Sequence, residues 1–291
     1  MNELAIVINN HAKNATQGSQ YLDALREANI PFQLYEVESD ELETTLENCL
    51  KNHNTLLIGG GDGTIRTAAQ YCAKTTKVMG VLPLGTLNHF AKELDLPQTV
   101  EELIAAVKEK CTQQIDLAEV NGLIFVNNSS IGFYPKFADK RDHYSKSYNK
   151  WLSYIPSLIE GFRKHKAYKV EIKSKTKRLN LKLRTSFLMV SNNVYTYEFP
   201  ITIKRDNFQE SCLGLYFYKS GTLKILKIIK GLFNKNNDFE VHKCTAPLEL
   251  HFQDHQEMNI SLDGDTMKVK TPLHYQSLPQ SLTLLTKASC A

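Results

Sequence analysis

The segment from Gly59 to Thr64, which reads Gly-Gly-Gly-Asp-Gly-Thr, constrains the fold of this chain more than any other. It directly follows the apolar run Leu56 to Ile58, which is typical of a buried strand, and it precedes a helical pattern. In an open α/β sheet, ligands bind beyond the carboxyl ends of the strands, where glycines let backbone N–H groups approach an anion. The segment therefore predicts a phosphate-binding turn; the simpler alternative is a glycine-rich connection with Asp62 as a helix-capping acid.

Two side chains of this turn are candidates for chemistry. Asp62 lies among glycines, so we expect it to be poorly shielded and suited to hold Mg²⁺ or to position an attacking hydroxyl. Thr64 is placed to cap the helix or to donate to a phosphate oxygen. The segment lacks the lysine of a Walker A loop and the third glycine of the dinucleotide fingerprint, which disfavours P-loop NTPases and Rossmann dehydrogenases.

A second turn of similar kind follows one helix and one strand later. The strand pattern at Val81 runs into Leu84-Gly85-Thr86 and then a helical pattern, so we expect a second helix N-terminus at the same crevice. Thr86 and Asn88 are short donors and acceptors placed for phosphate. Thr86 as a simple helix N-cap remains the alternative.

The length of 291 residues predicts two domains. Up to about residue 120, short apolar runs alternate with helical patterns, which predicts a three-layer α/β domain with a parallel sheet. The predicted strands are Leu4 to Ile8, Phe32 to Val37, Thr55 to Ile58, Val78 to Leu82 and Gln114 to Val120. The predicted helices are Ser19 to Ala28, Asp40 to Lys51, Thr64 to Ala73, Leu87 to Leu94 and Val100 to Lys110.

From about Asn121 the pattern predicts a mainly antiparallel β-sandwich or open barrel. The predicted strands are Leu123 to Asn127, Lys169 to Ser174, Leu179 to Val190, Leu213 to Tyr218, Glu240 to His242, Leu248 to Phe252 and Met258 to Leu262. Two helices are predicted, around Tyr148 to Phe162 and Leu223 to Phe233. Asp263-Gly264 is a hairpin signal, because Asp-Gly supplies the positive φ of a tight turn.

The composition predicts an ordered, cytoplasmic protein. Six cysteines without a paired spacing, and no export signal, favour reduced thiols. No run of 18 apolar residues occurs, so we expect any membrane contact to be peripheral. The formal net charge of +4 says little about partners.

The basic residues are unevenly distributed. Between Lys136 and Arg184 there are fifteen lysines or arginines against four acids, and aromatic and aliphatic residues lie among them. This basic stretch suits docking on anionic lipid headgroups at the inner face of a membrane. A core helix with solvated ends is the alternative. Nucleic-acid binding is not expected, because no recognised module accompanies the stretch.

Both turns carry a resemblance to a known family. The Gly-Gly-Asp-Gly-Thr turn followed by Leu-Pro-Leu-Gly-Thr-Leu-Asn-His-Phe-Ala resembles the diacylglycerol kinase catalytic domain superfamily, which includes bacterial lipid kinases and the sphingosine kinases. The resemblance extends from Ile6 to Asn10, through Val126 to Gly132, to Leu262 to Asp265.

The resemblance implies ATP, with Mg²⁺, bound between a domain like that of phosphofructokinases and NAD kinases and a β-sandwich. A last strand at Ser281 to Thr286 would return to the first domain. Residues 1–120 with about 276–291 would then bind nucleotide, and residues 121–275 would form the substrate domain. Contacts to the nucleotide phosphates would come from Asn9, Asn10, Lys13, Gly60, Gly61, Asp62, Gly63, Thr64 and Thr86.

The catalytic roles implied by the resemblance fall on Asp62 and Asp265. Asp62 would serve Mg²⁺ or transition-state positioning, and Asp265 stands where many relatives carry the glutamate that accepts the substrate hydroxyl proton. Lys13 and Arg66 are candidates by position for the basic residue. Near Ser211 to Leu215 the chain lacks the two carboxylates with which some relatives bind a structural Mg²⁺, so we expect none there.

The sequence therefore favours an ATP-dependent lipid kinase that phosphorylates diacylglycerol or a related lipid. A soluble NAD kinase-like enzyme and a catalytically inactive nucleotide- or lipid-binding relative are the alternatives. The sequence leaves open which lipid is the acceptor and what the oligomeric state is, a homodimer included.

Overall fold

A computed structural model describes residues 4–12, 14, 17–86, 88–132, 167–174, 179–198, 202–205, 207–218 and 239–288. The chain divides into two compact units. Unit 1 comprises Met1–Leu117, Tyr197–Glu210 and Leu278–Ala291, and unit 2 comprises Ala118–Thr196 and Ser211–Ser277. The return of Tyr197–Glu210 to unit 1 has no counterpart in the sequence prediction.

The elements alternate between strand and helix as far as the helix His89–Glu93, a second helix follows directly, and all later elements in the described part of the chain are strands. In order they are β1 (Leu4–Asn9), α1 (Gly18–Glu27), β2 (Phe32–Val37), α2 (Leu42–Asn52), β3 (Thr55–Gly60), α3 (Asp62–Cys72), β4 (Val78–Pro83), α4 (His89–Glu93), α5 (Val100–Glu109), β5 (Thr112–Val120), β6 (Leu123–Phe125), β7 (Asn128–Gly132), β8 (Tyr168–Ser174), β9 (Leu179–Thr185), β10 (Phe187–Asn192), β11 (Thr196–Glu198), β12 (Thr202–Lys204), β13 (Leu213–Tyr218), β14 (Phe239–Cys244), β15 (Leu248–Phe252), β16 (Glu257–Leu262), β17 (Asp265–Lys270) and β18 (Leu273–Leu285).

Unit 1 is the predicted α/β domain. Its parallel strands lie in the order β2-β1-β3-β4, and Thr283 and Leu284 of β18 add a further parallel strand beside β4. The predicted returning strand is therefore present. Buried residues of β1 pack with α1 and α5 in one core, while α2 and α3 contact β1 and β3. β1, β3 and β4 are largely buried on both faces, which explains why their segments read as continuous apolar runs, whereas β2 at the edge is partly exposed.

Unit 2 is the predicted antiparallel region. One sheet has the strand order β14-β13-β10-β7-β16-β17, and all of its neighbours are antiparallel. In the other sheet β15 pairs with β8 and with β18, and β8 pairs with β9. Residues from both sheets form one apolar core, which includes Ile131, Ile172 and Phe217. This is the packing of a sandwich.

One predicted strand, Leu179 to Val190, is wrong as a single element, because the chain bends at Ser186 and continues in the other sheet. The Thr185 hydroxyl accepts the Phe187 N–H at 3.1 Å and donates to the Phe187 carbonyl oxygen at 2.6 Å. A threonine hydroxyl that bonds the backbone two residues on stabilises a turn, and the apolar periodicity does not reveal it. The predicted helices Tyr148 to Phe162 and Leu223 to Phe233 lie outside the described residues.

The hairpin predicted at Asp263-Gly264 is confirmed. Both residues have positive φ, 50° and 103°, and Leu262 pairs with Asp265 across the turn. Among the helices of the described residues, none is long and apolar enough to cross a membrane.

Candidate phosphate-binding site

Three loops of unit 1 begin at one edge of the parallel sheet. β3 pairs with β1 on one side and with β4 on the other, so their last residues, Asn9, Gly60 and Pro83, lie at neighbouring strand ends. This is the carboxyl edge of the sheet, where α/β folds bind ligands.

The glycine turn leads directly into helix α3. The helix begins at Asp62, and Gly61 precedes it in an extended conformation with φ −87° and ψ 179°. The predicted helix start at Thr64 is wrong, since Thr64 is the third helical residue. Of the two roles predicted for its side chain, the helix cap is wrong, because α3 has no side-chain cap, and phosphate contact stays a prediction. The Thr64 hydroxyl oxygen accepts a hydrogen bond from the Asn9 amide at 3.1 Å.

The two glycine turns touch through their backbones. A Cβ atom placed on Gly85 would lie 2.7 Å from the Gly61 Cα, and one on Gly60 would lie 2.5 Å from the Thr64 Cβ. Real Cβ atoms do not approach other atoms this closely, so these two positions require glycine. The structure thus brings together the turns that the sequence singled out separately.

Asp62 connects the start of α3 with the first turn of α4. Its Oδ1 accepts a hydrogen bond from the Phe90 N–H at 3.4 Å. The other carboxylate oxygen accepts none from the described residues, and the side chain is half-buried. Asp62 is therefore held in place through one oxygen and presents the second.

Asn9 and Asn10, both predicted phosphate contacts, differ in exposure. Asn9 is buried; its amide nitrogen donates to Ser39 Oγ at 3.3 Å as well as to Thr64, and its amide oxygen accepts the His11 N–H at 2.9 Å. Asn10 is exposed, and its amide nitrogen donates to Glu38 at 3.2 Å. Asn9 thus fastens the first loop to the glycine turn. Lys13 lies outside the described residues.

Asn88 organises the second turn. It has left-handed geometry, with φ 51° and ψ 45°, and directly precedes α4. Its amide oxygen accepts the Gly85 N–H at 2.9 Å, and its amide nitrogen donates to the carbonyl oxygens of Pro83 and Gly85 at 2.9 and 3.0 Å. Thr86, which is exposed, is not the N-cap that the local pattern allowed. Phosphate contact by Asn88 or Thr86 stays a prediction.

Sequence reasoning missed Asn14, which ties the first loop to the second turn. Its amide nitrogen donates to the Gly85 carbonyl oxygen at 3.1 Å, and its backbone N–H donates to the Leu84 carbonyl oxygen at 3.1 Å. An asparagine in a loop carries no pattern that would have identified it. Arg66, the other basic candidate, lies in α3.

In unit 2, Asp263 and Asp265 flank Gly264 but have different surroundings. Asp265 is exposed at the start of β17. The Asp263 carboxylate accepts three backbone N–H groups, from Val126 at 2.8 Å, Asn127 at 2.7 Å and Asn128 at 3.0 Å. Asp263 therefore fixes the turn that carries Asp265, a role that the hairpin signal alone did not reveal.

No group of three or more His, Cys, Asp or Glu side chains that could hold a metal ion occurs among the described residues. Mg²⁺ that accompanies a nucleotide needs only one or two protein carboxylates, since the phosphates and water complete its coordination. The single carboxylate at the glycine turns fits that mode of binding.

Comparison with known proteins agrees with the predicted resemblance. Residues 3–120 match the diacylglycerol kinase catalytic domain family. A Staphylococcus epidermidis protein, named provisionally as a lipid kinase, is 24% identical over 254 residues, which cover 82% of this chain and 79% of that protein. An uncharacterized Synechocystis protein is 23% identical over 269 residues; the alignment covers 89% of this chain but only 60% of that protein.

A solved Bacillus anthracis structure, described provisionally as a diacylglycerol kinase, shares the fold. It aligns with 100% of this chain and 99% of its own, with a TM-score of 0.76 and 18% sequence identity. The predicted fold class is thereby confirmed.

Proposed function

We propose that this chain, which carries a diacylglycerol kinase catalytic domain over residues 3–120, is an ATP-dependent kinase that phosphorylates a hydroxyl group of diacylglycerol or a related lipid. The observation that carries the proposal is the backbone contact between Gly61 and Gly85 at the carboxyl ends of β3 and β4. Because both contact points are glycine, no side chain at them obstructs a phosphate oxygen that approaches the N–H groups at the start of α3; the Gly85 N–H is itself donated to Asn88 Oδ1.

The α3 N-terminus is the principal anion-binding element of the proposal. The first N–H groups of a helix have no partner within the helix, and the helix dipole favours negative charge there. Gly61, Asp62, Gly63 and Thr64 supply these N–H groups, with Gly60 directly before them. Asn9 and Asn88 hold the adjoining loops in shape around them.

Bound ATP would supply the phosphoryl group, and the Mg²⁺ that accompanies it would neutralise part of the phosphate charge. Asp62 would hold the metal ion through the carboxylate oxygen that the described residues leave without a hydrogen bond. Phosphoryl transfer depends mainly on positioning and electrostatic stabilisation, which backbone N–H groups and one fixed carboxylate provide.

For Asp265 we propose the role of general base, which accepts the proton of the acceptor hydroxyl. Its exposure at the start of β17, directly after a tight turn, leaves the carboxylate accessible. The Asp263 carboxylate holds the same turn through three N–H groups, which supports a fixed position for the base. The base must reach hydrogen-bond distance of the hydroxyl, so geometry decides this role.

The proposal includes a cytoplasmic location with peripheral contact at the inner face of the membrane. The lack of paired cysteine spacings supports a reducing compartment. The excess of basic residues between Lys136 and Arg184 supports contact with anionic lipid.

The test is transfer of labelled γ-phosphate from Mg-ATP to diacylglycerol, sphingosine or NAD, each offered separately and the lipids in mixed micelles. The proposal expects label in a lipid, and loss of that label by at least about 100-fold in Asp62→Asn, which keeps the side-chain shape but removes the charge. Asp23→Asn, on the exposed surface of α1, is the matched control and should retain activity.

Label in NAD alone would replace the lipid kinase with a soluble nucleotide kinase. ATP binding by equilibrium dialysis without transfer to any acceptor would favour an inactive nucleotide-binding relative. Transfer that is equal in wild type and Asp62→Asn would remove Asp62 from the chemistry.

A further inference from the structure

The outward face of β9, β8 and β15 in unit 2 carries polar side chains in rows, each row being a set of residues directly opposite one another on adjacent strands. Side chains alternate between the two faces of a strand, so outward residues recur at every second position. Cross-strand register places Lys169 opposite Arg184, Glu171 opposite Lys182, and Lys173 opposite Asn180. β15 extends two of these rows with His251 opposite Glu171 and Glu249 opposite Lys173.

In two of the three rows, positive and negative side chains pair with each other. Glu171 forms ion pairs with Lys173 at 3.3 Å and with Lys182 at 3.6 Å. Glu249 contacts His251 at 2.6 Å. The acids of this face are therefore engaged by residues of the same two rows.

The remaining row carries unbalanced positive charge. Lys169 and Arg184 are both exposed, and neither forms an ion pair with any residue that the structure describes. Like charges directly opposite each other on antiparallel strands are destabilising. An external anion bound between them would relieve that repulsion.

A groove of about 520 Å³ runs over the same residues. Its polar lining comprises Lys169, Glu171, Lys182, Arg184, His251 and Gln253. Three permanent cations against one carboxylate make this an anion-complementary surface.

We propose that the outward face of β9, β8 and β15 docks on anionic phospholipid membranes, with lipid phosphate groups at Lys169 and Arg184. The choice of a lipid surface as the partner rests on the proposed lipid kinase function, since such an enzyme must meet its acceptor at a bilayer. The placement of the contact rests on the charge pattern of this face alone.

The test is co-sedimentation of the full chain with phosphatidylcholine vesicles that contain or lack one quarter phosphatidylglycerol. Wild type should bind the anionic vesicles preferentially, and binding should weaken with salt. Lys169→Gln with Arg184→Gln should reduce the partition coefficient roughly 25-fold, since each nearby cation contributes about fivefold. Lys51→Gln with Lys108→Gln, which alters exposed positions on α2 and α5, is the matched control for net charge.

Equal binding of wild type and the Lys169/Arg184 variant would overturn the proposal, as would an equal loss in the control pair or no preference for anionic vesicles. Transfer to lipid in neutral mixed micelles reports the proposed function separately. If the variant loses vesicle binding while wild type shows no kinase activity, the docking surface stands and the kinase proposal fails. If both proteins phosphorylate lipid in micelles and bind vesicles equally, only the docking surface fails.

Discussion

Arg205 and Glu93 form a bidentate ion pair within unit 1, with distances of 2.7 Å from Nε to Oε1 and 2.7 Å from Nη2 to Oε2. The Arg205 side chain is fully buried, and its guanidinium lies 4.7 Å from the centre of the Phe208 ring. Glu93 ends α4, the helix that follows the second glycine turn. The pair therefore holds the segment Tyr197–Glu210, distant in sequence, against the end of α4 in unit 1.

Removal of one partner of this pair is expected to be costly. Arg205→Ala should lower the free energy of unfolding by about 3–5 kcal/mol, because it leaves the Glu93 carboxylate without its compensating charge. The measurement is urea denaturation followed by circular dichroism. Arg26→Ala is the matched control: Arg26 pairs with Asp23 at 2.8 Å on the surface, and such exposed pairs contribute about 0–1 kcal/mol. Equal effects of the two variants would show that Arg205 does not anchor this segment.

The Arg205–Glu93 pair also shows where sequence reasoning ends. The parallel sheet, its helices and the glycine turns follow from local patterns, because apolar periodicity and turn residues within a short stretch of sequence predict each of these elements. Arg205 and Glu93 are 112 positions apart. Neither charge belongs to a local sequence pattern, and the predicted second domain includes Arg205.

The two touching glycines give a matched pair of substitutions. Gly85→Ala should destabilise the fold, since its Cβ would lie 2.7 Å from the Gly61 Cα, and both are backbone positions that cannot move independently. Gly61→Ala should fold normally: its Cβ meets the Gly85 Cα at 3.9 Å, an ordinary contact, and its φ of −87° suits alanine. Replacement of glycine at a compatible position stabilises by about 0.4–1 kcal/mol.

Gly61→Ala, although expected to fold normally, should bind Mg-ATP more weakly than wild type. The methyl group of Gly61→Ala would project where phosphate oxygens approach the backbone, so we expect at least a tenfold increase in the Kd for Mg-ATP, measured by calorimetry, with thermal stability retained. Unchanged affinity in a folded Gly61→Ala protein would place the phosphates elsewhere.

The buried thiol of Cys72 in α3 predicts a pH dependence of stability. Burial, together with the nearby Cys49, raises the pKa of Cys72 from 9.0 to about 12. Above pH 9 the unfolded chain loses this proton while the folded chain keeps it, so the contribution is complete below pH 9 and is lost as the pH rises towards 12. At pH 10.5 the loss is about 2 kcal/mol, from ~1.4 kcal/mol per pH unit.

This loss is measured as the change in the free energy of unfolding between pH 8.5 and 10.5 under reducing conditions. Cys72→Ala should show a change smaller by about 2 kcal/mol than that of wild type, whatever its absolute stability. Leu46→Ala creates a cavity in α2 without removing a titrating group, and it should keep the wild-type pH dependence. An unchanged dependence in Cys72→Ala would mean that the thiol does not resist ionisation.

The positions of the backbone turns in the candidate site could be predicted from the sequence. The hydrogen-bond partners of its polar side chains could not. Gly60 and Gly85 follow from the turn pattern because glycine is needed where backbones approach closely, and Asp62 follows because it lies within the same turn. Asn9, Asn14 and Asn88 use their amide groups inside the loops, and residue identity alone does not distinguish an amide that binds its own backbone from one that faces a ligand. Asp263 and Asp265 present the same ambiguity two positions apart.

Substitution of Asp263 should mainly lower stability, whereas substitution of Asp265 should mainly lower turnover. Asp263→Ala leaves three backbone N–H groups without their acceptor, so the free energy of unfolding should fall by about 3 kcal/mol or more. Asp265→Ala, at an exposed position, should change the free energy of unfolding by less than about 1 kcal/mol.

If Asp265 is the base, its removal should lower kcat by about 100-fold or more with little change in the KM for lipid, and should abolish the acidic limb of the pH–rate profile. Asp263→Asn tolerates the positive φ of the turn and should recover much of the stability lost in Asp263→Ala while keeping that acidic limb. A kcat that falls only in proportion to lost stability in all three variants would assign both aspartates to the turn and leave the proton acceptor to another residue.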